Sequence, residues 1–245
     1  MAESHPTVVL LPTYNEAGNI ERMLAAIHQH LPAADILVID DNSPDGTGAL
    51  AEQAATKASH VKVAHRPGKQ GLGTAYRFGY HWALDHGYDR VLQMDCDFSH
   101  DPADLPRIVD HLREHAVVVG SRRVPGGGAD GWPWYRNLIS TAGSFYARGV
   151  LSSPVRDLTT GFKGFRAEAL RQVDLDNLRT DGFGFQIEVT TTLITLCTSV
   201  HEMPIRFADR KVGKSKMSAR IFLESMWKVW DIRSGAQRLR ALTGH

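Results

Sequence analysis

The chain has 245 residues, 42% hydrophobic and 22% charged, with a formal net charge of +1. That length suits one large domain or two small ones, and the near-neutral balance argues against bulk nucleic-acid binding. Two cysteines, Cys96 and Cys197, offer no disulfide framework and fit a reducing cytoplasm. The opening "MAESHPTVVLLP" lacks the basic segment and long apolar stretch of a signal peptide. No run of about 18 apolar residues suggests a transmembrane helix.

Charge is unevenly spread. Residues 1–120 carry 9 Lys and Arg against 16 Asp and Glu, whereas residues 121–245 carry 19 against 11. An acidic first half suits a cation and a basic second half suits anionic groups; two solvated surfaces of opposite sign are the plain alternative.

In chain order, "TVVLLPTY" predicts a first strand, and "EAGNIERMLAAIHQHL" has helical spacing. "ADILVIDD" predicts a second strand ended by acids, and "SPDGTGALAEQAATKA" a helix opened by turn and cap residues. "VKVAHR" is a third strand, and "GLGTAYRFGYHWALDHG" a helix closed by Gly87. "RVLQMDCD" is the fourth strand, "PADLPRIVDHLREH" a helix and "AVVVGSR" the fifth strand. This alternation predicts an α/β fold with a mostly parallel sheet, its continuous apolar strands buried on both faces.

After residue 122 the rhythm breaks. "VPGGGADGWPWY" is a long Gly/Pro/Trp loop. A helix over 136–151, the turn-rich "SSPVRDLTTGFKGF", a helix near 186–196, the strand "HEMPIRFA" and a basic stretch "DRKVGKSKMSAR" lead into a last helix.

Ligands of parallel α/β sheets bind beyond the carboxyl ends of the strands. Four such ends carry polar groups: Thr13-Tyr14-Asn15-Glu16, Asp40-Asp41, Asp95-Cys96-Asp97 and Ser121-Arg122-Arg123. Turn formers and helix caps occur at strand ends without any ligand, but four on one edge point to a site. Asp95 and Asp97 repel unless a cation lies near them, and Mg²⁺ or Mn²⁺ is held by one or two carboxylates plus substrate phosphates. The basic set comprises Arg122, Arg123, Arg136, Arg206, Arg210, Lys211, Lys214 and Lys216, with Ser140 near Arg136. Guanidinium groups suit phosphate oxygens; a solvated basic face is the alternative for each. Asp157 lies near Gly161, where backbone can approach a ligand, or serves as a buried cap. The 12 His are scattered, Cys96 reads as a packed residue, and no zinc spacing or nucleophile–base pair stands out.

The segments "LPTYNE" (11–16), "VIDDNSPDGT" (38–47), "GLGTAY" (71–76), "MDCDFSHDP" (94–102), "GSRRVPGG" (120–127), "TTGFKGF" (159–165) and "PIRFADRKVGKSKM" (204–217) together resemble the polyprenol-phosphate mannosyltransferases. These are inverting family-2 glycosyltransferases of the dolichol-phosphate-mannose synthase type. The resemblance runs over about residues 7–218 and implies a GT-A catalytic domain over 1–218, followed by an amphipathic helical segment over 219–245. It also implies GDP-mannose as donor, a divalent metal (Mg²⁺ or Mn²⁺) and a polyprenyl monophosphate acceptor. By motif, Pro12, Tyr14, Glu16, Ile39 and Asp41 would hold guanosine. Asp95, Cys96 (by backbone) and Asp97 would lie at the diphosphate, with Asp95 and Asp97 on the metal. Arg122, Arg210 and Lys216 would meet donor phosphate oxygens, and Arg136 and Ser140 the acceptor phosphate. Asp97, Arg122 and Arg136 would carry catalysis. The chain departs from the pattern at Ser99, where many relatives carry Gln, and lacks the C-terminal membrane helices of some relatives.

The final helix places Phe222, Leu223, Met226, Trp227 and Trp230 on one face, near Arg220, Lys228, Arg233, Arg238 and Arg240. Such a face suits a membrane surface at the cytoplasmic side, alone or through a membrane-protein partner, or packing on the domain. A hexosyltransferase using a UDP-sugar, a catalytically silent nucleotide-sugar-binding subunit and a metal-dependent phosphohydrolase remain as alternatives.

Overall fold

The computed structural model describes residues 5–196, 198–209 and 219–243. The first four apolar runs form β1 (Thr7–Thr13), β2 (Asp35–Asp40), β3 (Val61–His65) and β4 (Arg90–Gln93). They are connected through α1 (Ile20–His30), α2 (Thr47–Lys57) and α3 (Leu72–Asp85). Then follow α4 (Leu105–His111), β5 (Val117–Ser121), β6 (Gly128–Asp130) and α5 (Trp134–Leu151). The chain continues through β7 (Lys163–Arg166), α6 (Ala167–Leu170), α7 (Gly182–Thr195), β8 (Val200–Pro204), β9 (Arg206–Ala208) and α8 (Ala219–Thr243).

The main sheet has the order β3-β2-β1-β4-β7-β5-β8, and β6 pairs with β9 in a small second sheet. Every pairing is parallel except those of β7, which runs antiparallel to β4 and β5. Both faces of the sheet are covered, as the unbroken apolar strands require. Val8, Leu10, Leu37 and Ile39 share one core with Tyr76 and Tyr80 of α3. The alternate residues Val9, Leu11, Ile36 and Val38 point the other way, onto Ile20, Met23 and Ile27 of α1. In α1 the buried residues Ile20, Met23, Leu24 and Ile27 recur at helical spacing. Burying each contributes about 1.5–3 kcal/mol relative to an exposed position.

Two features of the second half differ from the sequence expectation. The segment read as turn-rich contains β7, inserted between β4 and β5. "HEMPIRFA" splits in two: the Ile205 N–H donates to Ser121 O, while its carbonyl accepts from Gly128 N. The chain therefore changes partners there, leaving β5 for β6. α8 lies against α5 and α7 and buries Val229 and Ile232.

The N-termini of α3 and α7 are joined by one carboxylate. Asp181 Oδ1 accepts from the backbone N–H groups of Gly73 (2.6 Å) and Gly182 (2.8 Å). Gly71, at φ +97°, makes this possible: a Cβ there would lie 1.9 Å from Asp181 Oδ2.

Candidate active site

The carboxyl ends of β1 and β2 are tied to each other. In register, Thr13 stands opposite Asp40, and its hydroxyl donates to Asp40 Oδ1 at 2.9 Å. Asp40 also accepts from Ser43 N and Ser43 Oγ, which makes it a turn-holding residue. The next loop reaches back: Glu16 N donates to Thr47 Oγ1 (2.8 Å) and Ala17 N to Asp45 Oδ2 (3.0 Å). Asp41 is buried against Arg66, with Nη1 at 2.7 Å from Oδ1. The Asp41 pKa is raised, chiefly by burial with the Asp40 and Asp181 charges adding to it, against the lowering by Arg66 and the Gln70 N–H.

Pro12, Tyr14 and Glu16 are half-buried along this edge. Lys69 Nζ sits 4.5 Å above the Tyr14 ring, and Asn19 Nδ2 donates to Glu16 Oε2 at 2.8 Å. Ile39 is different: its side chain is fully buried in the core, so only its backbone can face a ligand. Left-handed backbone marks the same rim. Asn15 (φ 61°) and Asn42 (φ 55°) lie two residues past β1 and β2, and Phe98 (φ 58°) lies in the loop after β4. Such conformations persist only where surroundings enforce them, and they cluster at functional sites. The two asparagines were the available sequence signal.

Beyond β4, Asp95 is half-buried and Asp97 and Cys96 are buried. The Asp95 carboxylate lies across from Gly161, where a Cβ would come within 3.4 Å of both oxygens. Asp97 Oδ1 accepts from Ser99 N at 3.0 Å. The Cys96 thiol is pushed well above its ordinary pKa by burial and then by Glu16, Asp97 and Asp95. It is therefore neutral and unsuited to attack. Among the described residues, no group of three or more His, Cys, Asp and Glu gathers for a metal. The donor set is two hard carboxylate oxygen groups, which fits a cation that takes its remaining ligands from phosphate and water.

At the end of β5, Arg122 closes on Asp157. Nε reaches Oδ2 at 2.7 Å, Nη2 reaches Oδ1 at 2.8 Å, and the Arg122 N–H adds a third bond at 3.0 Å. Arg122 Nη2 also donates to Thr159 Oγ1. Burial opposes both charges, yet each partner stabilises the other: the Asp157 pKa falls well below the carboxylate range and that of Arg122 rises. Glu202 fixes this loop by accepting from the Arg156 and Asp157 N–H groups.

Arg136 and Ser140, one turn apart on α5, have different partners. Arg136 Nη1 bonds Asp209 Oδ1 at 2.9 Å and its guanidinium stacks 4.2 Å from the Trp132 ring centroid. Ser140 instead accepts from Arg123 Nη2 at 2.7 Å. Arg210 and Lys216, together with Lys211 and Lys214, lie outside the described residues. Sequence reasoning missed Arg66, Thr159 and Asp181 as organisers of this edge, because each acts on a residue distant in the chain.

The glycosyl transferase family 2 profile matches residues 8–174. The chain is 42% identical to an undecaprenyl-phosphate mannosyltransferase of Micrococcus luteus over 97% of its own length and 98% of that protein. It is also 42% identical to a polyprenol monophosphomannose synthase of Mycolicibacterium smegmatis, over 96% and 91% of the two chains. Among solved structures, glucosyl-3-phosphoglycerate synthase from Mycobacterium tuberculosis, with Mn²⁺ and UDP bound, superposes at TM-score 0.66. It is 17% identical, with 95% of this chain and 80% of that one covered. A mannosyltransferase from Pyrobaculum calidifontis in complex with GDP-Man and Mn²⁺ superposes at TM-score 0.58, with 16% identity, 98% of this chain and 76% of that one. The chain belongs to glycosyl transferase family 2. Its fold is of the GT-A type, a mostly parallel sheet flanked by helices, and it is an enzyme of the glycosyltransferase class.

Proposed function

We propose that this enzyme transfers mannose from GDP-mannose to a polyprenyl monophosphate, with inversion at the sugar C1, releasing GDP. The full-length similarity to two polyprenyl-phosphate mannosyltransferases supports the reaction. The observation that carries the site assignment is the edge where the Asp95 carboxylate lies close enough to Arg122, just past β5, for its charge to act on it. Pro12, Tyr14, Glu16 and Asp41 are proposed to line the guanosine, with the Ile39 backbone. Asp95 and Asp97 would hold a divalent cation, Mg²⁺ or Mn²⁺, at the diphosphate, with the Cys96 backbone beside it. That ion supplies neutralisation of the charge that grows on the leaving diphosphate.

The chain's own groups then do three things. Arg122, kept in place by Asp157, presents fixed positive charge near Asp95, where leaving-group charge develops. Arg210 and Lys216 are proposed to add to it. Arg136 and Ser140, both on α5, are proposed to orient the acceptor phosphate. That phosphate is already anionic at neutral pH, so attack needs orientation rather than a strong general base. The Cys96 thiol at this edge is buried and neutral.

The enzyme is proposed to act at the cytoplasmic membrane face, directly or through a membrane-protein partner. Among the described residues no helix is long and apolar enough to cross a membrane. Two helices instead present aromatic side chains to solvent: Trp134, Tyr135 and Phe145 of α5, and Trp227 and Trp230 of α8. Trp and Tyr with nearby Arg suit a lipid interface. Of the predicted α8 face, the side chains of Phe222, Leu223 and Met226 lie outside the described set.

The test is transfer of labelled mannose from GDP-mannose to a short-chain polyprenyl phosphate with Mg²⁺ or Mn²⁺, comparing wild type with Asp97→Ala. A lipid product made by wild type and lost in the variant supports the reading. Wild-type transfer from UDP-glucose but not GDP-mannose overturns the donor assignment.

A further inference from the structure

We infer that a second anion site lies at the opposite end of β4 from Asp95, where Arg90, Arg113, Arg166 and Arg171 receive a compound carrying a phosphate or diphosphate group. A cavity of about 390 Å³ opens there, between the start of β4, the end of β7 and the segment that follows α4. Its volume lies within the range of small-molecule sites, about 300–1,000 Å³. The wall is not the apolar one such sites usually have: the four arginines line it together with two carboxylates, Asp89 and Glu168.

The sheet itself brings two of these cations together. Arg90 stands directly opposite Arg166 in the antiparallel register of β4 and β7, so both side chains leave the same face. Like charges placed opposite one another destabilise a strand pair. Arg166 is held in place: Nε donates to Leu112 O at 2.6 Å, Nη1 to Glu168 Oε1 at 3.2 Å, and Nη2 to Arg113 O. Arg90 is half-buried, and its side chain has no hydrogen bond or ion pair with any described residue. Burial, then the Arg113 and Arg166 charges, lower its pKa more than the Asp89 and Asp110 charges raise it.

The neighbouring carboxylates are engaged elsewhere. Asp89 Oδ2 is 3.2 Å from His5 Nδ1, Glu168 pairs with Arg166, and Asp110 lies 3.5 Å from Arg113 in a largely exposed contact. Exposed pairs of this kind contribute little. Arg171 is exposed, and its side chain has no hydrogen bond or ion pair with any described residue. The cavity therefore holds more cations than anions, and Arg90 and Arg171 have no bonded partner in it. Guanidinium forks match phosphate oxygens, and an anion of more than one charge relieves several repulsions at once. A partly desolvated guanidinium such as Arg90 gains more from that partner than a fully solvated one, because salt screens it less.

The experiment titrates the full chain with inorganic pyrophosphate and with inorganic phosphate by calorimetry, at low ionic strength and without divalent metal. Wild type is compared with the double variants Arg90→Gln/Arg171→Gln and Arg90→Lys/Arg171→Lys. Pyrophosphate is expected to bind wild type more tightly than phosphate does. Its Kd should rise tenfold or more in the glutamine variant and recover in part in the lysine variant. Pyrophosphate should also raise the thermal midpoint of wild type and leave that of the glutamine variant unmoved. An unchanged Kd in the glutamine variant assigns the anion to other residues and overturns the site, as does a wild type that binds neither anion. Affinity lost equally in both variants, with thermal midpoints already lowered in anion-free buffer, makes the arginines structural and overturns it too. Vesicles distinguish the source of the phosphate. Competition with pyrophosphate by phosphatidylglycerol vesicles, and not by phosphatidylcholine vesicles, upholds the site with a lipid headgroup as ligand; Arg90-dependent pyrophosphate binding without such competition upholds it with a free phosphate compound.

Discussion

Arg122 and Asp157 are 35 residues apart and meet through three hydrogen bonds, with the carboxylate completely buried. Removing one partner strands the other charge, and breaking such a pair costs about 3–5 kcal/mol. Asp157→Asn is therefore expected to lower stability by that amount and to reduce mannosyl transfer at least as strongly as it reduces GDP-mannose binding. Urea unfolding and transfer kinetics check it.

The same pair sets an acid dependence. The Asp157 pKa is depressed on folding, so its stabilisation is fully present above the unfolded aspartate value of about 3.9 and is lost as pH falls below it. The stability difference between wild type and Asp157→Asn should be constant from pH 7 to about 5 and shrink below about 4. Denaturation midpoints measured across that range decide the matter.

Lys163 gives a slope of the same sign in a higher pH window. It is fully buried in β7, donating to Gln186 O and Oε1, and burial lowers its pKa to about 7. Gln186 is in turn joined to Gln93, which bonds Tyr80 and the Gly161 carbonyl. Between about pH 7 and the unfolded lysine value of about 10.4, the unfolded chain binds more protons than the folded one, so stability rises with pH. Thermal midpoints of wild type should climb from pH 7 to 9, and those of Lys163→Met should climb less. Parallel curves for the two proteins would remove the buried lysine from the account.

Asp95 and Asp97 differ in burial but share the proposed cation. Asp97→Asn and Asp95→Asn should each cut transfer by roughly 10²–10³-fold, the scale of losing one transition-state charge stabiliser. Each should also shift the Mn²⁺ concentration needed for half-maximal activity upward. A variant that loses rate with an unchanged Mn²⁺ requirement would assign that residue another task.

Gly71→Ala tests how α3 is seated. The residue combines φ +97° with a Cβ position 1.9 Å from Asp181 Oδ2. Backbone strain alone costs about 1–3 kcal/mol, and displacing Asp181 adds to it. A loss of less than 1 kcal/mol on chemical unfolding would contradict that geometry.

The first half of the fold was legible because its strands are apolar runs ended by polar groups, and each run becomes a parallel strand opening on one edge. Asp95 and Asp97 could be found the same way. β7 was not legible. "KGFR" is four residues long, has a buried charge at Lys163, and carries Gly164 where α4 packs closely, so neither alternation nor an apolar run marks it. The resemblance, not a local pattern, singled out Arg136 and Ser140; Arg136 bonds Asp209 and stacks on Trp132, while Ser140 accepts from Arg123. No local pattern encodes either preference.

The reversed direction of β7 has a consequence for chain geometry. Parallel strands deliver their exits to the active edge, whereas this one delivers its entrance. The span from Asp157 to Lys163 is thus anchored at both ends, by Arg122 at the edge and by Gln186 inside the sheet. It works as a ruler: Gly161 reaches the Asp95 carboxylate because the intervening length is fixed. Length variation should be confined to connections at the far end of the sheet, and absent from this one.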